Sequence, residues 1–380
     1  MQYRNLGKTD IKVSEIGCGA GYFEDMTADV VDAVVNTAID GGVNVFDVCT
    51  VHPDVRSNIG RALGGRRKDV VLKGHIGAVL QEDGQHVSSR EPQLCDVYLK
   101  DFLTRHNTDY IDIGMIYIVD SEKDYTATFD SPFTEYIQRL KKDGVIRYIG
   151  ASTHDPAMGI KMAESGLVDM LMFSLNPSFD LSYGIDLMEV VYDDKDVKLE
   201  KLQVDPQRIE LYNLCAVRGV GITVMKALGA GRLLDAETSS LRHPLTLPQC
   251  VSYALDRPAV SSVILGVKNL EELNQALQYE NTTQSERDYT SLLQSGLPLL
   301  GGKCLYCNHC LPCQKGINIA SVTKYLDMAM VSKSDTIKIH YSALSAYAGS
   351  CVKCRMCEKS CPFGVGIVKN MEEAVRVFGK

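Results

Sequence analysis

Two short stretches hold eight of the chain's thirteen cysteines. Cys304, Cys307, Cys310 and Cys313 are spaced C-x2-C-x2-C-x2-C in "CLYCNHCLPC", and Cys351, Cys354, Cys357 and Cys361 are spaced C-x2-C-x2-C-x3-C-P in "CVKCRMCEKSCP". Thiolates two residues apart on a tight loop can face one iron-sulfur cubane, while a more distant cysteine closes its fourth corner. A pair of structural zinc sites is the alternative, although zinc modules rarely crowd four cysteines so densely before a proline. Cys18, Cys49, Cys95, Cys215 and Cys250 are scattered through apolar patterns and read as small core residues.

The second run has the spacing of bacterial ferredoxins, in which the fourth cysteine of each run ligates the other run's cluster. By that logic Cys304, Cys307, Cys310 and Cys361 hold one [4Fe-4S] cluster, and Cys351, Cys354, Cys357 and Cys313 hold the second. A second set of chemical residues lies far upstream, at the ends of β-branched runs. Asp47 with His52 just beyond it, His75, and Tyr117 place an acid, two imidazoles and a phenol on adjacent strand ends, a set suited to proton transfer. Lys73 shares the face of His75 by the two-residue period of a strand and is a further candidate for the mouth.

Those strand ends converge only in a particular architecture. From residue 13 to about 280, strand patterns alternate with amphipathic stretches such as "DVVDAVVNTAIDGG" and "PFTEYIQRLKKDG", which are apolar at helical spacing and closed by glycine. The strand candidates are "VSEIGCG" at 13, "NVFDV" at 44, "VVLKGHI" at 70, "IDIGMIYI" at 111, "IRYIGAS" at 146, "MLMFSLN" at 170, "GITVMKA" at 221 and "SSVILGV" at 261. Eight such β-α units predict an α/β fold closed into a TIM (β/α)8 barrel, with chemistry at the C-terminal edge of the strands. A doubly wound open sheet is the alternative, but "GCGAGYF" at 17 only weakly imitates its glycine fingerprint. The opening "YRNLGKTDIKVS" reads as a hairpin turning at Gly7, Lys8 and Thr9. About thirty residues between Asn176 and Asp205, including "VVYDDKDVKLEKL", lack a clear strand and read as a loop, lid or solvated insertion. The alternation stops after 285, giving a barrel over 1–285 and a small ferredoxin-like two-cluster domain over 286–380.

Composition narrows the partners. A net charge of -8 argues against nucleic acid, and no apolar run approaches a membrane span. The start "MQYRNLGKTD" lacks a signal peptide's apolar core, so the expected compartment is the cytoplasm, where thiols stay reduced and clustered cysteines serve as metal ligands.

"GGVNVFDVCTVH", "RLKKDGVIRYIGAST", "NP" at 176, "GVGITVMKALGAGRL" and "AVSSVILGVKNLEELNQAL" together resemble the aldo-keto reductase superfamily over about residues 1 to 285, and the tail resembles the ferredoxin-like extension of its iron-sulfur branch. The resemblance implies a TIM barrel that reduces carbonyls with a nicotinamide cofactor, using an Asp, Tyr, Lys and His tetrad. The aspartate falls on Asp47. The tyrosine position falls on His52, the lysine position on His75 with Lys73 close by, and the histidine position on Tyr117. Each departure keeps a proton donor, so His52 can act as general acid and Tyr117 can restore a phenol from the opposite wall.

For the cofactor, the resemblance assigns Ser152, Thr153 and Asn176 to the nicotinamide carboxamide. It assigns Lys226, Gly229, Gly231 and Arg232 to the pyrophosphate, where glycines admit backbone amides, and Gly266 and Lys268 to the ribose end. Glu271 and Glu272 follow Lys268 and repel a 2'-phosphate, which disfavours NADP(H) relative to NAD(H). The expected function is an oxidoreductase for a small carbonyl or hydroxylated substrate, with electrons passing through the clusters and a ferredoxin- or flavodoxin-type donor as a candidate partner. Two alternatives stand beside it: an electron-transfer protein with a non-catalytic barrel, and an NADH-dependent carbonyl reductase whose clusters are structural.

Overall fold

The computed structural model describes residues 1–81, 85–181, 204–241, 243–290, 304, 306–331, 335–362 and 364–380. Most of the excursion expected between Asn176 and Asp205, including its acidic stretch, lies outside the described residues.

All eight expected barrel strands form, and they close. The chain opens with an antiparallel hairpin, β1 (Tyr3–Asn5) and β2 (Lys12–Ser14), turning where Gly7 takes a φ of 56°. Then follow β3 (Ile16–Gly19), β4 (Val45–Val48) and β5 (Val71–Ile76), a short antiparallel pair β6 (Ala78–Leu80) and β7 (His86–Ser88), and β8 (Ile111–Ile116). The rest are β9 (Ile146–Thr153), β10 (Met170–Ser174), β11 (Gly221–Met225) and β12 (Val260–Gly266). The ring runs β3-β4-β5-β8-β9-β10-β11-β12 and back to β3, parallel throughout. Parallel strands are covered on both faces, which is why β8 and β10 are buried along their whole length and read as continuous apolar runs.

Inside the ring, Val45, Ile113, Met115, Met170, Met172 and Ile264 pack with Leu6, Ile11 and Val13 of the hairpin in one cluster. The hairpin thus contributes a third of a core that the strands alone leave open. Polar side chains follow at the next inward-facing positions, where β4 continues from Val45 to Asp47 and β5 from Val71 to Lys73 and His75.

Two compact units emerge from the contacts. One comprises Met1–Ser174, Val220–Ala227 and Val260–Thr282, and contains every barrel strand; the other comprises Leu175–Gly219, Leu228–Ala259 and Thr283–Lys380. Besides the residues after 285, the second unit takes in two segments that the sequence assigns to barrel crossovers. There the helix Ile319–Val331 packs on the helices Ile367–Phe378 and Pro206–Arg218. Asp180, fully buried, accepts hydrogen bonds from Arg208 Nε at 2.9 Å, Tyr212 at 2.6 Å and Tyr253 at 3.0 Å, so its charge is neutralised and saturated with donors. Among the described residues, no strand follows Gly266, and no helix is long and apolar enough to cross a membrane.

Candidate active site and cysteine cavities

Asp47 ends the inward face of β4, opposite Lys73 in the register with β5. Its Oδ1 lies 2.8 Å from Lys73 Nζ and 3.2 Å from His75 Nε2, and all three residues are buried. Lys73 also donates to Thr223 Oγ1 at 3.0 Å and meets Met172 Sδ at 3.3 Å, so its three donors are used inside the ring. Burial alone raises the Asp47 carboxyl, but Lys73 and His75 overcome it and hold the carboxyl well below the usual carboxylate range.

A carboxylate can only accept, so His75 donates Nε2–H to Asp47. That leaves Nδ1 shielded from solvent and without a hydrogen-bond partner. Tyr117, just past the end of β8, stands edge-on to the His75 ring with centroids 5.8 Å apart. Burial, with Cys49 and Asp120 adding to it, raises the Tyr117 phenol, which therefore stays a proton donor through neutral pH. Asp47, Lys73, His75 and Tyr117 are thus brought together.

His52 has other company. As the residue before the helix Pro53–Leu63, its Nε2 lies 3.4 Å from Glu24 Oε2 and its ring centroid 5.0 Å from that of His86. Glu24 sits on the short turn of helix Ala20–Asp25, and His86 begins β7. Sequence reasoning missed both, because a six-residue 3-10 turn and a three-residue strand carry too little periodicity to register.

The residues assigned to the nucleotide are placed as follows. In the first unit, the Ser152 hydroxyl accepts from Ile118 N at 3.0 Å, and Thr153 Oγ1 donates to Asp120 at 3.0 Å. Lys226 follows β11 with a left-handed φ of 59°, and burial lowers its ammonium pKa. Gly266 ends β12, and Lys268 Nζ lies 5.1 Å from the centre of the Tyr22 ring. In the second unit, Asn176 Oδ1 caps the turn Pro177–Asp180 through Phe179 N at 2.9 Å, and Gly229, Ala230 and Gly231 are all left-handed.

All thirteen cysteines are free. Of the scattered five, Cys18, Cys95, Cys215 and Cys250 are buried as expected of core residues; Cys49 is half-buried, two positions from Asp47. The eight clustered cysteines divide across the two runs. Cys304, Cys307, Cys310 and Cys361 line one small cavity, and Cys313, Cys351, Cys354 and Cys357 line another. The two runs also share a backbone design. Tyr306 and Asn308 have φ of 59° and 66°, and Lys353 and Arg355 have φ of 56° and 59°, at the same offsets from Cys304 and Cys351. Non-glycine residues rarely accept the left-handed region, and its recurrence at matched positions marks the two runs as built to one backbone plan, of the kind that can aim amides at an anion. Tyr306 N donates to Cys304 Sγ at 3.4 Å in this manner. Burial pushes the Cys304 and Cys310 thiols up to about 12 and Cys307 to about 11, so they keep their protons at neutral pH unless a cation displaces them.

Residues 15–249 match the family described as Aldo/keto reductase family. The chain is 25% identical over 308 residues to the "Uncharacterized oxidoreductase YqkF" of Bacillus subtilis, covering 78% of this chain and 96% of that protein. Its fold is similar to aldo-keto reductase AKR11C1 from Bacillus halodurans in the holo form, at 22% identity and a TM-score of 0.58, covering 78% of this chain and 96% of that one. The apo form gives 21% identity and a TM-score of 0.53 over the same shares.

Proposed function

The chain belongs to the aldo/keto reductase family and is an oxidoreductase; from that premise we propose that it acts on a small carbonyl or hydroxylated substrate at the barrel mouth, with electrons passing through two [4Fe-4S] clusters. The catalytic part rests on one observation, the Asp47 carboxylate shared between Lys73 and His75. An imidazole oriented by a carboxylate is the arrangement that lets a ring nitrogen take and return protons. Lys73 keeps Asp47 charged, Asp47 keeps Nε2 protonated, and His75 Nδ1 with the Tyr117 phenol moves the proton at the substrate oxygen. In the reducing direction that oxygen gains a proton as the carbonyl carbon gains two electrons.

A bound nicotinamide supplies those electrons as hydride, and the clusters supply them singly. NADH suits the chain better than NADPH, because the Glu272 carboxylate is fixed by Lys268 N at 2.8 Å and Glu271 stands beside it. The division of eight free thiols into two cavities of four, each drawing on both runs, supports the clusters. A zinc pair also takes four thiolates per site, but the matched left-handed amides suit a bulkier anionic centre.

The test is purification without oxygen, metal and sulfide analysis, and titration with NADH, NADPH and dithionite while following cluster absorbance. About eight irons per chain and bleaching by NADH are expected. Zinc in place of iron rejects the clusters. Bleaching by dithionite alone rejects the nucleotide-fed route and turns the reading to a ferredoxin- or flavodoxin-type donor.

A further inference from the structure

We propose that Glu24, His52 and His86 form a binding site for a divalent transition-metal ion of the zinc class, separate from the cysteine cavities. Three elements from consecutive βα loops converge there. Glu24 comes from the turn after β3, His52 from the loop after β4, and His86 from β7 beyond β5. One ligand atom from each lies within 4.8 Å of the others; His52 Nε2 is 3.4 Å from Glu24 Oε2, and His86 Nε2 is 3.9 Å from Glu24 Oε1. Metal bonds of about 2.0–2.2 Å to imidazole nitrogen and carboxylate oxygen put tetrahedral donors roughly 3.3 Å apart, so small inward shifts suffice.

His86 supplies a second, independent observation. Its Nε2 is shielded from solvent and has no hydrogen-bond partner, although a buried ring nitrogen normally finds one. Nε2 lies on the side facing Glu24, where an ion would satisfy it. The carboxylate is oriented as ligating carboxylates usually are: Thr50 Oγ1, buried, donates to Glu24 Oε1 at 2.6 Å and accepts from His52 N at 3.1 Å. Two imidazoles with one carboxylate suit zinc, cobalt or iron(II) rather than magnesium, which prefers oxygen and keeps its waters.

Three protein donors leave coordination positions open, as catalytic metal sites do. Resting on the function proposed above, the ion would stand where the family places its tyrosine, at His52, and would offer a Lewis acid to a polar group of the substrate there. Binding itself does not rest on that reading.

The test is calorimetric titration of the anaerobically purified holoprotein with ZnCl2, CoCl2 and MgCl2, the cysteines being engaged. One zinc and one cobalt per chain beyond the cluster metal are expected, with no magnesium binding. His52→Gln, His86→Gln and Glu24→Gln should each weaken zinc by roughly tenfold or more, leaving the cluster spectrum and the melting temperature of the holoprotein without added zinc unchanged. Zinc uptake that survives all three variants, or no uptake by the wild type, overturns the site. Turnover with and without added zinc is read separately: binding without a change in rate keeps the site and removes its catalytic role.

Discussion

Lys73 and Asp47 face each other across neighbouring strands with ammonium and carboxylate 2.8 Å apart, and neither reaches water. The family resemblance puts the lysine position at residue 75, yet the ion pair forms with a lysine two residues earlier on the same inward face. A histidine fills the vacated place above it. The lysine–aspartate ion pair is therefore retained while the position above it changes from ammonium to imidazole.

Breaking this pair leaves a buried charge alone. Lys73→Met should cost about 3–5 kcal/mol in urea unfolding at pH 7, and adding Asp47→Asn should recover part of the loss. The pH dependence has a definite sign. Because the folded Asp47 pKa is depressed, its stabilisation is present above the unfolded value of about 3.9 and is lost as pH falls through the folded one. The Asp47→Asn protein should show a shallower loss of urea midpoint below about pH 4 than the wild type; equal slopes would mean that other carboxylates govern the acid limb.

His75 and Tyr117 should be separable by pH profile. His75→Gln should lower kcat by about 10²–10⁴-fold with the fold intact, as loss of a proton-transfer group does. Tyr117→Phe should remove an alkaline limb from the rate profile. Since the phenol pKa is raised by burial, that limb should lie to the alkaline side of an ordinary phenol's. A Tyr117→Phe profile identical to wild type assigns the proton to His75 alone.

The barrel was legible because its signal is redundant. Eight strand patterns, each separated by a helical crossover, agree on one closed topology, and a misread strand would have been corrected by its neighbours. Asp47 and His75 were legible for the same reason, since strand ends of a barrel meet at one edge. His52 was read as part of that set, but the loop after β4 carries it to Glu24 and His86. The β6–β7 pair that delivers His86 has three residues per strand, too few for alternation to stand out. In the tail, thiol spacing anticipated which cysteines come together, whereas the helices there and their packing on Pro206–Arg218 carried no sequence signal.

Gly60 controls how the helix carrying His52 at its start seats against its neighbour. A Cβ there would lie 2.0 Å from the Arg105 carbonyl oxygen and 2.8 Å from its carbon, both backbone atoms that cannot swing aside. Gly60→Ala should therefore force the helices Pro53–Leu63 and Pro92–Arg105 apart and cost at least about 1–3 kcal/mol in chemical denaturation. Gly65→Ala, where nothing lies within 4 Å, is the control and should stay within about 0.5 kcal/mol of wild type.

The two cysteine runs can be sorted by which lesions coincide. If each run held its own cluster, Cys361→Ser would damage the same centre as Cys351→Ser and spare that of Cys304→Ser. The cavities group the residues otherwise, with Cys361 beside Cys304, Cys307 and Cys310, and Cys313 beside Cys351, Cys354 and Cys357. Cys304→Ser and Cys361→Ser should then each lose about four irons and the same electron paramagnetic resonance signal, and their double variant should lose no more than either. Cys313→Ser should remove the other signal, while Cys304→Ser with Cys313→Ser should remove both. Coincidence of Cys361→Ser with Cys351→Ser instead would show that sequence neighbours, and not the crossed sets, share a centre.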